Sequence, residues 1–154
     1  MRISEKIMSR IQKYLRTLFL LFAWILLLGI VTQVSLAGLA FFVDGTLWQT
    51  HRTVVKVIEF VPSFMFILGL AGRIPKMYTT TSFLLFFLIN FQYYTTYGWL
   101  GAIHSVFSLF LFSISLFVAW GSYKVVVKGK KELIDDGSSN KFSTGGHRDG
   151  SIGF

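Results

Sequence analysis

The apolar residues of the chain are gathered into four continuous segments of about 20 residues each, separated by short polar stretches. At ~1.5 Å rise per residue, a helix of that length crosses a hydrocarbon core of ~30 Å. The runs are continuous rather than alternating, and lipid requires every backbone polar group to be paired internally, so helices are predicted rather than barrel strands. The predicted spans are Thr17–Phe41, His51–Ala71, Tyr78–Trp99 and Ala102–Tyr123.

Composition favours the same interpretation. Of the 154 residues, 53% are hydrophobic, 14% are charged and 17 are phenylalanines, which does not suit the surface of a soluble domain. The predicted fold class is therefore all-α, an integral membrane four-helix bundle. The absence of cysteine excludes disulfides, thiolate-ligated iron–sulfur clusters and thioether-attached haem, so histidine, carboxylate, amide or packing must hold any cofactor.

The formal charge of +8 is distributed in a way that argues against nucleic acid as a partner. Basic residues precede the first predicted span, fill the loop between the second and third spans, and follow the fourth span; they are Arg2, Lys6, Arg10, Lys13, Arg16, Arg73, Lys76, Lys124, Lys128, Lys130 and Lys131. These three regions fall on one side of an even-numbered bundle. The positive-inside rule then places both termini in the cytoplasm, as in a multi-pass protein of the bacterial inner (cytoplasmic) membrane, with basic residues near anionic lipid.

Three parts are predicted along the chain. Residues 1–16 are an amphipathic cytoplasmic segment that lies on the membrane surface before the chain turns inward, and the following apolar run is too long for a cleaved signal peptide. Residues 17–123 form the transmembrane domain. Residues 124–154 are a basic and then disordered cytoplasmic tail, because Asp135–Phe154 is rich in glycine, serine and charge.

The second predicted span carries an unusual number of polar residues. Arg52, Lys56 and Glu59 fall on one arc of the helix at 100° per residue, with His51 adjoining. Lys56 and Glu59 are spaced to pair, which lowers the cost of keeping both charges near lipid. Pro62 lacks a backbone donor and is predicted to kink the helix.

A weak internal repeat relates the two halves of the predicted bundle. Gln33 lies near the outer end of span one and His51 begins span two, as Gln92 and His104 do in spans three and four. With tryptophans as interface markers, His51 and His104 lie ~4.5 and ~7.5 Å below them at ~1.5 Å per residue. Two hairpins related by an axis along the membrane normal would bring both imidazoles to the same bound group.

The bound group is predicted to be a b-type haem whose iron is held by His51 and His104, since membrane bundles build cofactor sites from facing helices. Ala102, Ser105 and Ser108 supply room, phenylalanines supply an apolar surround, and Arg52 and Lys56 are the partners expected for the haem propionates. Two other interpretations stay open: hydrogen bonding that only joins the helices, and proton or metal binding. Two histidines alone make a poor zinc site.

The run Gln33 to Gly38, His51-Arg52 after the loop, Gln92, and Gly101 to His104 resembles a family of small uncharacterised four-span bacterial membrane proteins. More distantly, residues 17–123 resemble one half of haem A synthase. That resemblance implies a four-helix half-bundle in which His51 and His104 are axial haem ligands. The synthase has a glutamate four residues before its helix-two histidine, where this chain has Leu47, so the hydroxylation chemistry is not implied.

Several function classes follow from these observations. The first is electron transfer or sensing through a haem near the outer face, with a redox or membrane-protein partner. The alternative is a non-enzymatic accessory, immunity or assembly factor whose histidines join helices. A role as a transporter component is a weaker interpretation, because the sequence shows no pathway of acidic residues through the spans. No nucleophile–base arrangement, P-loop, dinucleotide fingerprint or HExxH helix occurs, which argues against a self-contained enzyme.

Overall fold

The structure, a computed structural model, describes residues 2–143, with the side chains of residue 5 and of residues 7–127. The regular structure in this part of the chain is helical, which confirms the all-α class. The elements are α1 (Arg2–Phe42), α2 (Leu47–Ile58), α3 (Val61–Ala71), α4 (Lys76–Gln92), a 3₁₀ turn (Tyr93–Thr95) and α5 (Leu100–Ser143).

Three helical stretches of the described residues are long and apolar enough to cross a membrane, and they indicate a membrane protein. They are Ile7–Phe42, Leu47–Ala71 and Leu100–Val127. The prediction was four such segments. The remaining helix, α4, has 17 residues, because its helical hydrogen bonding ends earlier than the apolar sequence does.

The boundary predicted at residue 16 is not a break in the structure. α1 is one helix of 41 residues, about 60 Å long at 1.5 Å per residue. Neither glycine nor proline occurs near Arg16, so nothing in the sequence ends the helix there. The amphipathic segment is therefore the first part of α1 rather than a separate element.

The second apolar segment is divided where a kink was predicted. α2 ends at Ile58 and α3 begins at Val61, with Pro62 in the first turn of α3. Proline is tolerated in a first helical turn because the backbone N–H it lacks would have no intrahelical acceptor there. The hydrogen bonding of α3 begins at Phe60, whose carbonyl accepts from the N–H groups of Ser63 and Phe64 at 3.1 and 3.2 Å.

α4 ends at Gln92, although the pattern predicted a helix to Trp99. Two threonine hydroxyls after the helix donate to nearby carbonyl oxygens, Thr95 to Gln92 at 2.9 Å and Thr96 to Tyr93 at 3.0 Å. Such local bonds compete with helix propagation. Gly98 then adopts a positive φ of 58°, which reverses the chain into α5.

At its other end, α5 continues to Ser143 and so extends into the tail predicted to be disordered. The good helix formers of this stretch, Lys130 to Leu133, come before Asp135. The aspartate, glycine, serine and asparagine residues of 135–143 are poor helix formers, and the helix there is propagated from the preceding turns at one hydrogen bond per residue. The rest of the predicted tail, 144–154, lies outside the described residues.

α1 is the central helix of the packing, in contact with α2, α3 and α5, while α4 contacts α3 and α5. In the described residues α5 does not pack against α2 or α3, so they lie on opposite sides of the interior. The core is apolar and is represented by Phe19, Leu26, Met65, Leu85 and Val118, each fully buried.

Close helix approaches lie at the end of the packing opposite the two histidines. The Nε atom of Arg16 donates to the carbonyl of Gly72 at 2.9 Å, and the ring of Tyr78 lies against Gly121. Gly69 faces Thr79, whose Oγ1 lies 2.6 Å from where a Cβ on Gly69 would stand. The missing side chain at Gly69 therefore allows α3 to approach α4.

The turn between α3 and α4 is a helix cap with an unusual residue. Arg73 adopts a left-handed φ of 52°, and the N–H of Ile74 donates to the carbonyl of Gly69 at 2.9 Å. The N–H of Arg73 donates to Leu70 at 3.3 Å, which completes a Schellman motif. Arginine thus occupies a position that glycine usually takes.

Candidate functional site

The first half of the candidate site is a reciprocal pair of hydrogen bonds between α1 and α2. Nε2 of Gln33 donates to the backbone carbonyl of His51 at 3.2 Å, and Nδ1 of His51 donates to the backbone carbonyl of Gln33 at 3.1 Å. Trp48 packs against the imidazole edge to face, with 5.6 Å between ring centroids. We call this arrangement the Gln33–His51 clasp.

The second half repeats the arrangement between α4 and α5. Nε2 of Gln92 donates to the backbone carbonyl of His104 at 3.2 Å, and Nδ1 of His104 lies 3.2 Å from the carbonyl of Gln92. Two further side chains take part in this Gln92–His104 clasp. Ser108 accepts from Gln92 Nε2 at 3.0 Å, and Thr95 donates to Gln92 Oε1 at 3.1 Å.

The two clasps lie at the same height in the packing. Gln33 is 17 residues along α1 from Arg16, and His104 is 17 residues along α5 from Gly121. At ~1.5 Å per residue, each distance is about 25 Å from the close contacts at the opposite end. The matched depth follows from matched helix lengths on the two sides of the interior.

The hydrogen bonds define which ring nitrogen of each histidine carries the proton. A backbone carbonyl can only accept, so Nδ1 of His51 and of His104 must each be protonated when they bond to the glutamine carbonyls. In a neutral imidazole the other nitrogen, Nε2, then has its lone pair free. Among the described residues Nε2 has no hydrogen-bond partner in either histidine, so both can act as ligands or acceptors.

Both histidines line one cavity of about 350 Å³. This volume is within the range of roughly 300–1,000 Å³ that small-molecule sites have. The remaining lining is mostly aliphatic and comes from all sides of the interior, including Ile30 of α1, Ile58 of α2, Ile89 of α4 and Leu111 of α5.

The cavity opens between the parts of α1 and α5 that carry Gln33 and His104. Val34 and Leu109 line it, yet 49% and 66% of their surfaces remain exposed. Gly38 also lines it, and a Cβ added there would meet nothing within 4 Å. A ligand can therefore reach the imidazoles from the side of the helix packing without displacing a core residue.

Arg52 and Lys56, the predicted propionate partners, do not line the cavity. Both are exposed on α2. The predicted Lys56–Glu59 pair is not formed, since no ion pair within 4.0 Å joins side chains of the described residues. Glu59 instead accepts a hydrogen bond from the hydroxyl of Tyr93 at 2.6 Å.

Burial and the Glu59 carboxylate together raise the pKa of Tyr93 to about 12. Removal from water disfavours tyrosinate, and a nearby negative charge disfavours it further. Tyr93, Tyr94, Tyr97 and Asn90 line a shallow second cavity at this outer end. The Tyr93–Glu59 bond thus ties the end of α4 to the break between α2 and α3, a contact that the sequence pattern did not indicate.

Gln33, His51, Gln92 and His104 were predicted from the sequence, whereas Thr95 was not. The available signal was its spacing, because a hydroxyl three residues after Gln92 can reach back to that residue's carbonyl. The described residues contain no group of three or more His, Cys, Asp or Glu side chains placed to hold a metal ion. A metal bound here would therefore have two imidazoles as its protein ligands.

Residues 33–97 match a family model described as "Family of unknown function (DUF6220)". The matched segment is less than half of the chain; it contains Gln33, His51 and Gln92 and ends before His104. No curated protein and no solved structure matches the chain. The resemblance to haem A synthase therefore stays a prediction.

Proposed function

We propose that the chain is a four-span membrane bundle with both termini in the cytoplasm, and that it binds one b-type haem between α2 and α5 near the outer face. The bound haem would serve electron transfer or sensing. The observation that carries this proposal is the pair of imidazoles, His51 and His104, that line one cavity from opposite sides, each with Nδ1 engaged and Nε2 free.

The donor set fits a haem iron. Axial ligation needs a neutral imidazole with a lone pair on one nitrogen, and metal-binding histidines commonly donate their other N–H to a backbone carbonyl. The carbonyls of Gln33 and Gln92 perform that function here by fixing the tautomer and the ring direction. When bound, a haem with two imidazole ligands supplies one-electron redox chemistry.

Other residues of the chain would shape the site. The aliphatic lining of α1, α4 and α5 would exclude water, which is how a protein lowers the local dielectric around a cofactor. Trp48 packs edge to face against His51. Arg52 and Lys56, the two predicted propionate partners, would have to turn from the exposed face of α2 to bind the haem.

The four-span topology is supported by charge and by length. Basic residues lie in the first part of α1, in the turn after α3 and in α5 beyond residue 123, and the cytoplasmic side of membrane proteins carries such an excess. α4 with its 17 residues spans about 25 Å, and membrane helices of 17–25 residues are usual. The 3₁₀ turn at Tyr93–Thr95 extends it towards the interface.

An absorption spectrum of the purified protein tests the haem proposal. Protein expressed with a supply of haem and purified in detergent should show a sharp Soret band that shifts on reduction and is typical of six-coordinate low-spin iron. The variants His51→Asn and His104→Asn should each lose the six-coordinate spectrum, while His147→Ala, which changes the third histidine, should keep it. A colourless preparation that also does not bind added haem would contradict the proposal.

A second candidate is a non-enzymatic accessory or assembly protein. The observation that favours it is that each clasp already joins two helices through hydrogen bonds, without any ligand. Asparagine discriminates the two candidates, because its amide can replace the Nδ1–H donor but offers no imidazole. If His51→Asn and His104→Asn fold, keep the melting temperature and still support function in cells, the accessory role is favoured over the haem.

A further inference from the structure

The two clasps have the same plan but different numbers of bonds. On the Gln92 side, Oε1 accepts from Thr95 and Nε2 donates to both the His104 carbonyl and Ser108, whose hydroxyl also bonds to the His104 carbonyl at 2.9 Å. Nδ1 of His104 has a second neighbour, the Thr95 hydroxyl at 3.2 Å. The Gln92–His104 clasp is therefore a connected network.

The Gln33 side lacks these additional partners. Oε1 of Gln33 is buried without a hydrogen-bond partner in the described part of the chain, and Nδ1 of His51 bonds only to the Gln33 carbonyl. The reason can be found in the sequence. The positions that correspond to Thr95 and Ser108, three residues after the glutamine and four after the histidine, are Leu36 and Val55.

This difference affects how easily each ring can leave its place. The glutamine side chains bond to the backbone carbonyls of the histidines, so those bonds remain when a ring rotates away. Releasing the His104 ring breaks its Nδ1 bond to the Gln92 carbonyl and its contact with the Thr95 hydroxyl, whereas releasing the His51 ring breaks only its Nδ1 bond to the Gln33 carbonyl. The mouth lined by Val34, Gly38 and Leu109 lies between α1 and α5 and can admit a small molecule.

We infer that His104 is the fixed ligand of the proposed haem site and that His51 is an exchangeable ligand, so that a small neutral ligand such as carbon monoxide can take its place. The inference rests on the proposed haem function and gives that site a sensing role. Release of the His51 imidazole would break its Nδ1 bond to the Gln33 carbonyl, and Gln33 would be the positioning residue that sets how readily this happens.

The experiment transfers the missing partners from one clasp to the other. The double variant Leu36→Thr with Val55→Ser gives Gln33 and His51 the hydroxyl groups that Thr95 and Ser108 give the second clasp. Carbon monoxide affinity of the reduced haem protein is then measured by its absorbance change. We expect the double variant to bind carbon monoxide roughly three- to tenfold more weakly than the unaltered protein, the effect of about one net hydrogen bond.

A matched pair of variants identifies which ring is displaced. His51→Gly should keep a five-coordinate haem whose six-coordinate spectrum returns when imidazole is added, whereas His104→Gly should lose the haem. Equal carbon monoxide affinity in the double variant and the unaltered protein would overturn the inference, as would haem retained by His104→Gly but not by His51→Gly. Absence of a Soret band in the unaltered protein is a different failure, that of the haem proposal itself, and the inference falls with it.

Discussion

Gln33 and His51, 18 residues apart on successive helices, exchange two hydrogen bonds, each residue using its side chain to bond to the backbone of the other. The loop between α1 and α2 is short, so the two helices must run antiparallel, and the exchange fixes their register. The same exchange between Gln92 and His104 fixes α4 against α5. These four residues therefore support the helix packing whether or not a ligand is bound between them.

Unequal bonding of the two clasps predicts unequal losses of stability. Gln92→Leu removes the two bonds that Nε2 donates, to the His104 carbonyl and to Ser108, and the one that Oε1 accepts from Thr95. It should lower the free energy of unfolding by roughly 1–3 kcal/mol. Gln33→Leu removes one interhelical donor and an acceptor that had no partner. It should therefore lower the free energy of unfolding by less than about 1 kcal/mol. Thermal unfolding in detergent measures both. Equal losses would contradict the difference between the clasps.

The close approach at Gly69 predicts that even one methyl group is too large there. Thr79 is buried and β-branched and cannot move aside, so Gly69→Ala should destabilise the protein by roughly 1–3 kcal/mol. Gly38→Ala is the matched control, because a Cβ there meets nothing within 4 Å. With helix propensity as its main effect, the control should gain about 0.5–1 kcal/mol. Thermal melts of the two variants should shift in opposite directions.

Replacing Arg73 with glycine should stabilise the folded protein. Its left-handed backbone costs an ordinary residue roughly 1–2 kcal/mol, which glycine avoids. Arg73→Gly should therefore raise the melting temperature, and Arg73→Lys, which keeps the strained backbone and the charge, should leave it nearly unchanged. A drop for Arg73→Gly would show that the arginine side chain contributes more than its backbone conformation costs.

The bond between Tyr93 and Glu59 predicts a pH dependence at the alkaline end. The pKa of Tyr93 is about 12 in the folded protein and near 10.0 in the unfolded chain. Because the folded state holds this proton more tightly, the contribution to stability is complete below about pH 10 and is lost as the pH rises through about 12. The free energy of unfolding should fall across that interval.

Tyrosinate absorbance provides the direct measurement. The unaltered protein should show one tyrosine that ionises near pH 12, and this step should be missing in Tyr93→Phe. In Glu59→Gln the step should move to lower pH but stay above the ordinary value, since burial is the larger cause of the raised pKa. An unchanged step in Glu59→Gln would mean that burial alone accounts for it.

How much of the site the sequence could predict differs from residue to residue. His51, His104 and both glutamines stood out, because polar side chains at matching positions in apolar segments are few and costly. Arg52 and Lys56 were assigned to the same site from their charge and their position beside His51; both lie exposed on α2 and do not line the cavity, so their part in the site stays a prediction. Helical spacing defines which residues share a face, but it does not say which face turns inward.

By itself, the sequence determined the helical class, the membrane character and the position of the break at Pro62, because hydrophobic length and a missing backbone donor act locally. Only the tertiary structure decided that Glu59 bonds to Tyr93 rather than to Lys56, and that Thr95 completes one clasp while Gln33 Oε1 remains unpartnered. Those outcomes depend on how helices far apart in the chain are rotated against each other. Rotation is set by packing across all of them together, which no single segment encodes.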